Sequence, residues 1–202
     1  MSKTIVAIVG TYRKGGVTDT AVDEILKAAQ TAGIQTSKIY LIDKHIEFCT
    51  NCRACAQQPG PGRGTCVQKD DMVSILDQVD FADALVIASP INFYNVTAVT
   101  RRFMERLVVY GYWPWGTGAP KFRITKSGKK AVLVTSSAAP AFIGKIFFRP
   151  ALIALKAIAQ CFGAKVIARL YFGLVAQQPD ATLNKKDLMR AYKTGVKLVN
   201  SI

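Results

Sequence analysis

The N-terminal part of the chain places a loop rich in glycine, hydroxyl groups and cations between an apolar strand pattern and a helical pattern. The run K-T-I-V-A-I-V from Lys3 to Val9 is short, apolar and β-branched, like the buried strands of parallel sheets. The loop G-T-Y-R-K-G-G-V-T follows at residues 10–18, and the helical pattern continues to about Ala32. Such a loop offers backbone N–H groups, hydroxyl donors and positive charge at a helix N-terminus. We therefore expect it to hold an anionic group such as a phosphate.

The length and composition indicate one folded domain. A chain of 202 residues is large enough to bury a substantial core, and half of its residues are hydrophobic. The N-terminus leads directly into a strand pattern without a cleavage site, and no stretch has the roughly 18 uncharged apolar residues that a membrane span needs. We therefore predict a single domain over residues 1–202 with a cysteine-rich insertion at about 48–68, a long loop at about 110–128, no transmembrane segment and a cytoplasmic location.

The formal net charge of +14 arises in the second half of the chain. Residues 1–105 contain 11 Lys/Arg and 11 Asp/Glu, whereas residues 106–202 contain 16 Lys/Arg and 2 Asp/Glu. A field of this sign favours acidic partners such as nucleotides, anionic lipids or nucleic acids, and a solvated basic face explains it equally well. No recognised DNA- or RNA-binding motif accompanies the charge, so we expect no specific nucleic-acid partner.

Strand and helix patterns alternate along the rest of the chain. This alternation predicts a parallel sheet with helices on both faces. Ligands bind such sheets outside the carboxyl ends of the strands, so the loops at residues 11–18, 90–97 and 136–142 are expected to converge on one flat polar ligand. After the first strand and helix, the strand patterns lie at residues 38–42, 84–88, 130–135 and 164–172, and the helical patterns at about residues 72–79, 96–109, 150–162 and 185–199.

Two of these loops carry a family resemblance. G-T-Y-R-K-G-G-V-T after the first strand, together with S-P-I-N-F-Y-N-V-T-A-V-T-R-R-F-M-E-R after the third, resembles the flavodoxin-like NAD(P)H-dependent FMN reductases. The C-x2-C-x2-C motif, a fourth cysteine and D-D-M between the two loops are similar to the iron–sulfur flavoprotein branch of that superfamily. The resemblance spans about residues 3–175. It implies an α/β, flavodoxin-like three-layer sandwich with a five-stranded parallel sheet in the order 2-1-3-4-5, assembled as a homodimer or homotetramer.

The resemblance also implies a set of FMN-binding residues. The first loop would grip the phosphate, the loop after the third strand would line the isoalloxazine ring, and the loop after the fourth strand would face the other edge of the flavin. Hydroxyl groups and a helix N-terminus suit a dianion, and backbone amides with an aromatic neighbour suit a planar ring. An ordinary strand-to-helix turn is the alternative for the first loop. The implied residues are Thr11, Arg13, Gly16, Val17, Thr18, Pro90, Ile91, Asn92, Phe93, Tyr94, Asn95, Ser136, Ser137 and Ala138.

The second loop departs from the family pattern at two positions. Many relatives have S-P-V-Y-F-G-N, whereas this chain has Asn92 in place of the tyrosine and Tyr94 in place of the glycine. We expect the bulky Tyr94 either to shield the flavin or to narrow the substrate pocket.

Four of the five cysteines, Cys49, Cys52, Cys55 and Cys66, lie within 18 residues. The C-x2-C-x2-C spacing places three thiolates around one small volume, as iron–sulfur ligation requires, and clustering in a cytoplasmic chain favours metal or redox chemistry over structural disulfides. The resemblance implies a 4Fe–4S cluster. Ten residues that include Pro-Gly-Pro-Gly separate Cys55 from Cys66, so zinc held by four thiolates and metal-free or disulfide-forming cysteines stay open as alternatives.

Two apolar segments lie outside these motifs. Residues 113–116, W-P-W-G, suit a mobile lid or dimer contact, or a hydrophobic plug under a loop. Residues 141–148, A-F-I-G-K-I-F-F, are unusually apolar for a surface loop. They suit core or dimer packing, or a contact with a partner or a membrane surface.

The function implied by the resemblance is an FMN-dependent oxidoreductase that passes electrons from NADH or NADPH to a small acceptor such as a quinone or free flavin. The cofactor supplies this chemistry, so no catalytic side chain is assigned, and the sequence contains no Ser/His/Asp or paired-carboxylate pattern. The alternative is an iron–sulfur flavoprotein that carries electrons between protein partners, with its basic half steering an acidic redox protein. A non-catalytic flavin- or metal-binding module is a third possibility.

Overall fold

The computed structural model describes residues 3–178 and 180–202 and centres on a five-stranded parallel sheet. Its order is β2-β1-β3-β4-β5 and all neighbouring strands are parallel, which confirms the predicted flavodoxin-like order. The strands are β1 (Thr4–Val9), β2 (Gln35–Tyr40), β3 (Ala84–Ala88), β4 (Lys130–Ser136) and β5 (Lys165–Phe172).

Helices cover both faces of the sheet. On one face α1 and α6 pack together, and on the other α2, α3 and α5 share a second apolar cluster. In the part of the chain that the structure describes, none of these helices has the length and apolar composition needed to cross a bilayer. The helices are α1 (Val17–Thr31), α2 (Met72–Phe81), α3 (Ala98–Arg106), α4 (Ala141–Phe147), α5 (Arg149–Cys161) and α6 (Lys185–Val199).

The continuous apolar runs of the sequence reflect burial of the sheet on both sides. In β3 every residue is buried, and alternate side chains enter opposite clusters: Leu85 and Ile87 pack against the α2, α3 and α5 side, and Val86 against the α1 and α6 side. A strand covered on both faces has no solvent-facing side that would favour polar residues. This explains why the third strand is apolar throughout.

The observed elements differ from the predicted ones in three places. The second strand begins at Gln35 and ends at Tyr40, earlier than the apolar pattern suggested. The helix predicted at residues 96–109 ends at Arg106 and continues as a 3-10 turn. The apolar segment expected to be a loop contains a helix, α4, that Pro140 precedes. Gly144 lies inside this helix, and a Cβ atom there would lie 2.0 Å from the Tyr171 hydroxyl oxygen, so close packing explains the glycine.

The cysteine-rich segment and the long loop pack against each other. The Arg53 guanidinium lies between the rings of Trp113 and Trp115, 3.6 Å and 4.1 Å from their centroids, and donates a hydrogen bond to the Trp113 carbonyl. Arg123 in the long loop donates to the carbonyl groups of Cys55 and Gln58. Cation–π stacking and charge-assisted hydrogen bonds therefore join two segments that are distant in sequence.

Candidate functional site

A cleft of about 270 Å³ opens at the carboxyl ends of β1, β3 and β4. The three loops predicted to converge all contribute to its lining, and a segment after β5 closes one side. Of the fourteen residues implied by the family resemblance, eleven line this cleft. They are Thr11, Arg13, Gly16, Val17, Thr18, Pro90, Ile91, Asn92, Ser136, Ser137 and Ala138, and the lining is completed by Tyr12, Val175, Ala176 and Ala181.

The first loop turns tightly into the N-terminus of α1. Thr11 Oγ1 accepts a hydrogen bond from the Arg13 backbone N–H, and Gly15 adopts a left-handed conformation with φ of 75°. Gly16 is the cap residue of α1 and has no side chain to bond the first-turn N–H groups. Those groups and the positive end of the helix dipole therefore lie at the cleft, where an anion would be stabilised.

Buried hydroxyl groups connect the first loop to the end of β4. The oxygen atoms Thr18 Oγ1 and Ser136 Oγ lie 2.8 Å apart, and both residues are buried. The neighbouring Ser137 Oγ accepts a hydrogen bond from the Tyr171 hydroxyl and donates one to the Ala139 carbonyl. Burial raises the pKa of Tyr171, so the hydroxyl stays protonated as a donor at neutral pH. Hydrogen bonds from α1 and β5 therefore hold the polar wall of the cleft at the end of β4.

The first and second loops are fixed to each other through Gly10. The Thr97 hydroxyl donates to the Gly10 carbonyl at 2.6 Å and accepts from the Thr100 hydroxyl at 2.8 Å. A Cβ atom on Gly10 would lie 1.7 Å from Thr100 Oγ1, so no larger residue fits without moving α3. Thr97 is also the cap residue of α3. Thr97 therefore caps α3 and also anchors the C-terminal end of β1, where the first loop begins.

The second loop forms a short hairpin at the rim of the cleft. Residues 91–92 pair antiparallel with residues 95–96, and the tip residues Phe93 and Tyr94 have φ values of 44° and 68°. The structure does not bring Phe93, Tyr94 or Asn95 into the cleft lining. Phe93 is 98% exposed, and the Tyr94 ring packs edge-on against Phe148 at 5.4 Å between centroids. A contact of these three residues with a flavin ring stays a prediction.

A buried ion-pair network behind the first loop was not predicted from the sequence. Asp19 accepts from the Gly15 backbone N–H at 2.7 Å and from the Tyr40 hydroxyl at 3.0 Å, and Lys38 Nζ lies 2.6 Å from its other oxygen. Burial alone would lower the pKa of Lys38, but hydrogen bonds to Asp19 and Asp23 outweigh it and raise the pKa. An acidic residue in the first turn of a helix is common, so the sequence alone does not single out Asp19. Its contacts with Lys38 and Tyr40 on β2 distinguish it from an ordinary first-turn carboxylate.

Three of the clustered cysteines, Cys49, Cys52 and Cys66, lie near the fourth, Cys55, without forming a closed ligand set. Cys55 is buried, Cys52 is exposed, and Cys49 and Cys66 are half-buried. Burial, with smaller effects of thiolate charge on the other three, raises the pKa of Cys55 to about 11. A hydrogen bond from the Ala54 backbone lowers the pKa of Cys52. Within residues 3–178 and 180–202, no three Cys, His, Asp or Glu side chains are arranged to hold one metal ion.

A buried arginine reaches the cysteine segment from the end of α3. Arg106 is 2% exposed and forms an ion pair with the fully buried carboxylate of Asp70. Its other contacts are the Glu47 carbonyl at 2.9 Å and Cys66 Sγ at 3.4 Å. Desolvation opposes the charge, but the hydrogen bond to Asp70 and the proximity of Cys66 raise the pKa of Arg106. Asp70 also accepts a hydrogen bond from the Met72 backbone N–H at the start of α2.

The parallel sheet, the anion-binding turn after β1 and the polar cleft at the strand ends together define a flavodoxin-like nucleotide-binding protein. The comparison with protein families is more specific. The chain belongs to the NADPH-dependent FMN reductase family, whose sequence profile matches residues 4–174.

Part of the chain is also similar to curated iron–sulfur flavoproteins. It is 36% identical over 109 residues to one from Archaeoglobus fulgidus, which covers 54% of this chain and 47% of that protein. It is 28% identical over 105 residues to one from Methanosarcina thermophila, which covers 52% of each. The chain spans about half the length of the curated relatives it matches.

Solved structures share the fold at low sequence identity. An NAD(P)H:quinone oxidoreductase from Methanothermobacter marburgensis superposes with a TM-score of 0.74 at 15% identity, covering 98% of this chain and 100% of that one. An FMN-dependent NADH-azoreductase from Bacillus anthracis, in complex with FMN, superposes with a TM-score of 0.67 at 14% identity, covering 98% of both chains. These likenesses establish the fold.

Proposed function

We propose that the chain is an FMN-dependent oxidoreductase that passes electrons from NADH or NADPH to a small acceptor such as a quinone or free flavin. The observation that carries the proposal is the cleft in which the uncapped first turn of α1 meets buried hydroxyl groups from the first loop and from the end of β4. For a quinone acceptor, the net exchange balances as NAD(P)H, one proton and the quinone giving NAD(P)⁺ and the quinol. Membership of the NADPH-dependent FMN reductase family supports the same reaction class.

The phosphate end of FMN suits the first loop. The backbone N–H groups of Val17 and Thr18 lie in the first turn of α1, and the hydroxyl groups of Thr11 and Thr18 supply further donors. Arg13 adds positive charge to the same wall. A dianion bound here would be stabilised by the helix dipole and by charge-assisted hydrogen bonds.

The ring end of FMN suits the part of the cleft between the second loop and the β4 loop. Pro90, Ile91 and Asn92 form one side, and Ser137 and Ala138 form the other. When bound, the flavin supplies the hydride and electron-transfer chemistry. The side chains of the cleft then have to orient the ring, hold its polar edge and exclude water, which explains why no general base is required.

The experiment that tests this function compares FMN with riboflavin, which lacks the phosphate. We expect purified protein to quench FMN fluorescence and to bind riboflavin at least tenfold more weakly, because only FMN engages the helix N-terminus. In the absence of air, the FMN-loaded protein should oxidise NADH or NADPH in repeated turnovers only when a quinone or flavin acceptor is added. Equal affinity for both flavins, or no NAD(P)H oxidation by the loaded protein, would contradict the proposal.

We also propose that Cys49, Cys52, Cys55 and Cys66 bind a 4Fe–4S cluster. Four neighbouring thiols, one of them buried, are the donor set that such clusters use, and the matching relatives are named iron–sulfur flavoproteins. As arranged, the thiols would have to move closer together to share one cluster. A cluster would add one-electron transfer, the property that the alternative function of an electron carrier between proteins requires.

Iron and acid-labile sulfide analysis of anaerobically prepared protein tests the cluster. We expect a broad absorbance at roughly 400 nm from iron–sulfur charge transfer. This absorbance should bleach on reduction and should be lost in Cys52→Ser. The matched control is Cys161→Ser, because Cys161 lies on α5 and is not one of the four clustered cysteines. Zinc in place of iron, or no metal, would contradict the cluster without affecting the FMN proposal.

The assembly and location of the protein are part of the same proposal. We infer a homodimer or homotetramer in the cytoplasm, with a small-molecule acceptor or a redox protein as partner. Light scattering of the FMN-loaded protein tests the assembly, and cell fractionation tests the location.

A further inference from the structure

A buried carboxylate lies next to the candidate phosphate site. Asp19 is 2% exposed and stands in the first turn of α1, directly after Thr18 of the cleft wall. Neither Asp19 nor its ion-pair partner Lys38 on β2 is among the residues that line the cleft. A buried negative charge beside a site for a dianion opposes binding of the dianion. The charge of Asp19 therefore has to be offset if the first loop is to hold a phosphate.

Asp19 fixes the position of Gly15 in the first loop. Its Oδ2 atom accepts a hydrogen bond from the Gly15 backbone N–H at 2.7 Å, and Gly15 has the left-handed φ of 75°. The hydroxyl group of Thr20 shares its hydrogen between the carbonyl oxygens of Gly15 and Gly16, at 3.1 and 3.0 Å. Side chains of α1 therefore bond both polar backbone groups of Gly15 and hold the glycine turn at the start of the helix.

Lys38 offsets the charge of Asp19 from the neighbouring strand. Its Nζ atom lies 2.6 Å from Asp19 Oδ1, and its side chain is 16% exposed. Burial alone would lower the pKa of Lys38, but hydrogen bonds to Asp19 and Asp23 raise it, so the ammonium group stays charged at neutral pH. Asp23 is 56% exposed, so water and salt screen its charge. The buried pair of Asp19 and Lys38 therefore places no net charge beside the phosphate site.

The end of β2 contacts the loop at further points. The Tyr40 hydroxyl donates to Asp19 Oδ2 at 3.0 Å. The ammonium groups of Lys14 and Lys38 each lie 4.9 Å from the centre of the Tyr40 ring, and Lys14 pairs with Asp43 at 2.6 Å. Lys14 and Asp43 are about half exposed, and exposed ion pairs contribute little to stability. The buried contacts of Asp19 therefore contribute most to the position of the loop.

We propose that Asp19 and Lys38 are positioning residues for the flavin phosphate and that they act as a unit. Asp19 sets the shape of the first loop, and Lys38 removes the repulsion that the Asp19 carboxylate would exert on the phosphate. This inference rests on the proposed reductase function, because it requires FMN to bind with its phosphate at the first loop. The alternative is an ordinary first-turn carboxylate, in which Asp19 stabilises α1 and Lys38 does not affect flavin affinity.

The flavin affinity of Lys38→Gln tests the role of the charge. The amide can still donate to Asp19 but has no positive charge, so the unopposed carboxylate should weaken FMN binding about tenfold or more in a fluorescence titration. Riboflavin has no phosphate, so its dissociation constant should change by less than about twofold. Lys27→Gln removes the same net charge from an exposed position on α1 and should bind FMN like the wild type.

The double variant Asp19→Asn/Lys38→Gln tests whether the two residues act as a unit. The amide oxygen at position 19 can still accept from the Gly15 N–H, and both buried charges are gone. We therefore expect an FMN affinity within about threefold of the wild type, which recovers most of the loss in Lys38→Gln. A double variant as weak as Lys38→Gln would show that Lys38 does not act by offsetting Asp19, and would overturn the proposal.

Hydrogen exchange of the full-length chain before FMN is added tests the loop by itself. Asp19→Leu cannot accept from the Gly15 N–H, so the amides of residues 10–18 should exchange several-fold faster than in the wild type, whereas Asp19→Asn should leave their exchange unchanged. The amides of α5, on the opposite face of the sheet, are the internal reference and should exchange alike in all three proteins. Equal exchange of the loop in the two variants would overturn the role of Asp19, also where Lys38→Gln does not fold.

The positioning role and the reductase function fail in different measurements. If the wild type does not prefer FMN to riboflavin, the proposed function is wrong and the inference falls with it. If the wild type prefers FMN but Lys38→Gln binds FMN equally well, the positioning role is wrong and the function stands. The same conclusion follows if Lys38→Gln loses FMN and riboflavin affinity in equal measure, because a general effect on the fold would then explain the loss.

Discussion

The hydroxyl oxygens of Thr18 and Ser136 lie 2.8 Å apart in a buried setting, although the two residues are 118 positions apart in the chain. This bond joins the first turn of α1 to the end of β4 at the base of the candidate phosphate site. Because α1 lies on one face of the sheet and β4 within it, the bond fixes the spacing of the two cleft walls where the two loops meet.

The first prediction is that Thr18→Val weakens FMN binding about tenfold, because it removes a hydroxyl donor and leaves Ser136 without its buried partner. Fluorescence quenching titration measures the dissociation constant. The control is Thr31→Val, which makes the same change in the last turn of α1, where the hydroxyl only bonds the Lys27 carbonyl. Equal affinity in the two variants would show that the Thr18 hydroxyl does not contribute to the site.

The second prediction concerns the close approach at Gly10. Gly10→Ala should destabilise the fold by about 2 kcal/mol or more, because the added Cβ overlaps the Thr100 side chain and forces α3 away from β1. Urea unfolding followed by circular dichroism measures the loss. Gly118→Ala is the matched control, since a Cβ there meets nothing within 4 Å. A Gly10→Ala variant as stable as the control would contradict the close contact.

The sequence predicted the fold and most of the cleft because their signals are local. The apolar run of β1, the glycine turn and the start of α1 follow one another directly, so the anion-binding loop could be located without tertiary information. The family resemblance supplied the strand order. Helix α4 was missed because Gly144 weakens its helical pattern, and the need for that glycine depends on Tyr171 in a distant strand.

Contacts between distant segments were the part that the sequence could not predict. The Asp19 and Lys38 pair, the Arg106 contact with Cys66 and the stacking of Arg53 on two tryptophans all join residues from separate elements. No short-range pattern specifies which charged residue a buried cation will meet. The outward position of Phe93 likewise depends on the left-handed hairpin tip. The glycine that relatives have at position 94 is compatible with a positive φ there, but it does not show which way the Phe93 side chain points.

The third prediction tests the strain at that tip. Phe93→Gly should be more stable than Phe93→Ala by about 1 kcal/mol, because both remove the ring but only glycine adopts a positive φ at little cost. The difference in free energy of unfolding between the two variants isolates the backbone contribution. Identical stabilities would mean that residue 93 does not hold a left-handed conformation in solution.

The fourth prediction concerns acid stability. Desolvation alone would raise the pKa of Asp83, but hydrogen bonds from Lys3 Nζ and the Thr4 backbone N–H outweigh it and hold the pKa below its usual value. A carboxylate with a lowered folded-state pKa contributes stability above its unfolded pKa of about 4 and loses it as the pH falls through the folded value.

Asp83→Asn should therefore lower the free energy of unfolding by up to about 1 kcal/mol at pH 7, a small loss because the ion pair with Lys3 is partly exposed. This loss should become smaller below about pH 4. Unfolding by urea at a series of pH values measures the effect. Asp180→Asn changes an exposed carboxylate and serves as the control. A cost for Asp83→Asn that does not depend on pH would contradict the assignment.

The last prediction concerns the clamp between the cysteine segment and the long loop. Arg53→Ala removes the guanidinium that stacks on Trp113 and Trp115 and bonds the Trp113 carbonyl. The segment should then open more often, and the buried Cys55 thiol should react with iodoacetamide several-fold faster, as mass spectrometry of the labelled peptide would show. Arg101→Ala, at an exposed arginine that pairs with Glu105 along α3, should leave the rate unchanged. Because the Cys55 pKa is already raised by burial, faster labelling would report opening of the segment and the accompanying fall in that pKa. An unchanged rate in Arg53→Ala would show that other contacts hold the two insertions together, such as the hydrogen bond from the Trp113 N–H to the Ala56 carbonyl and those from Arg123 to the Cys55 and Gln58 carbonyls.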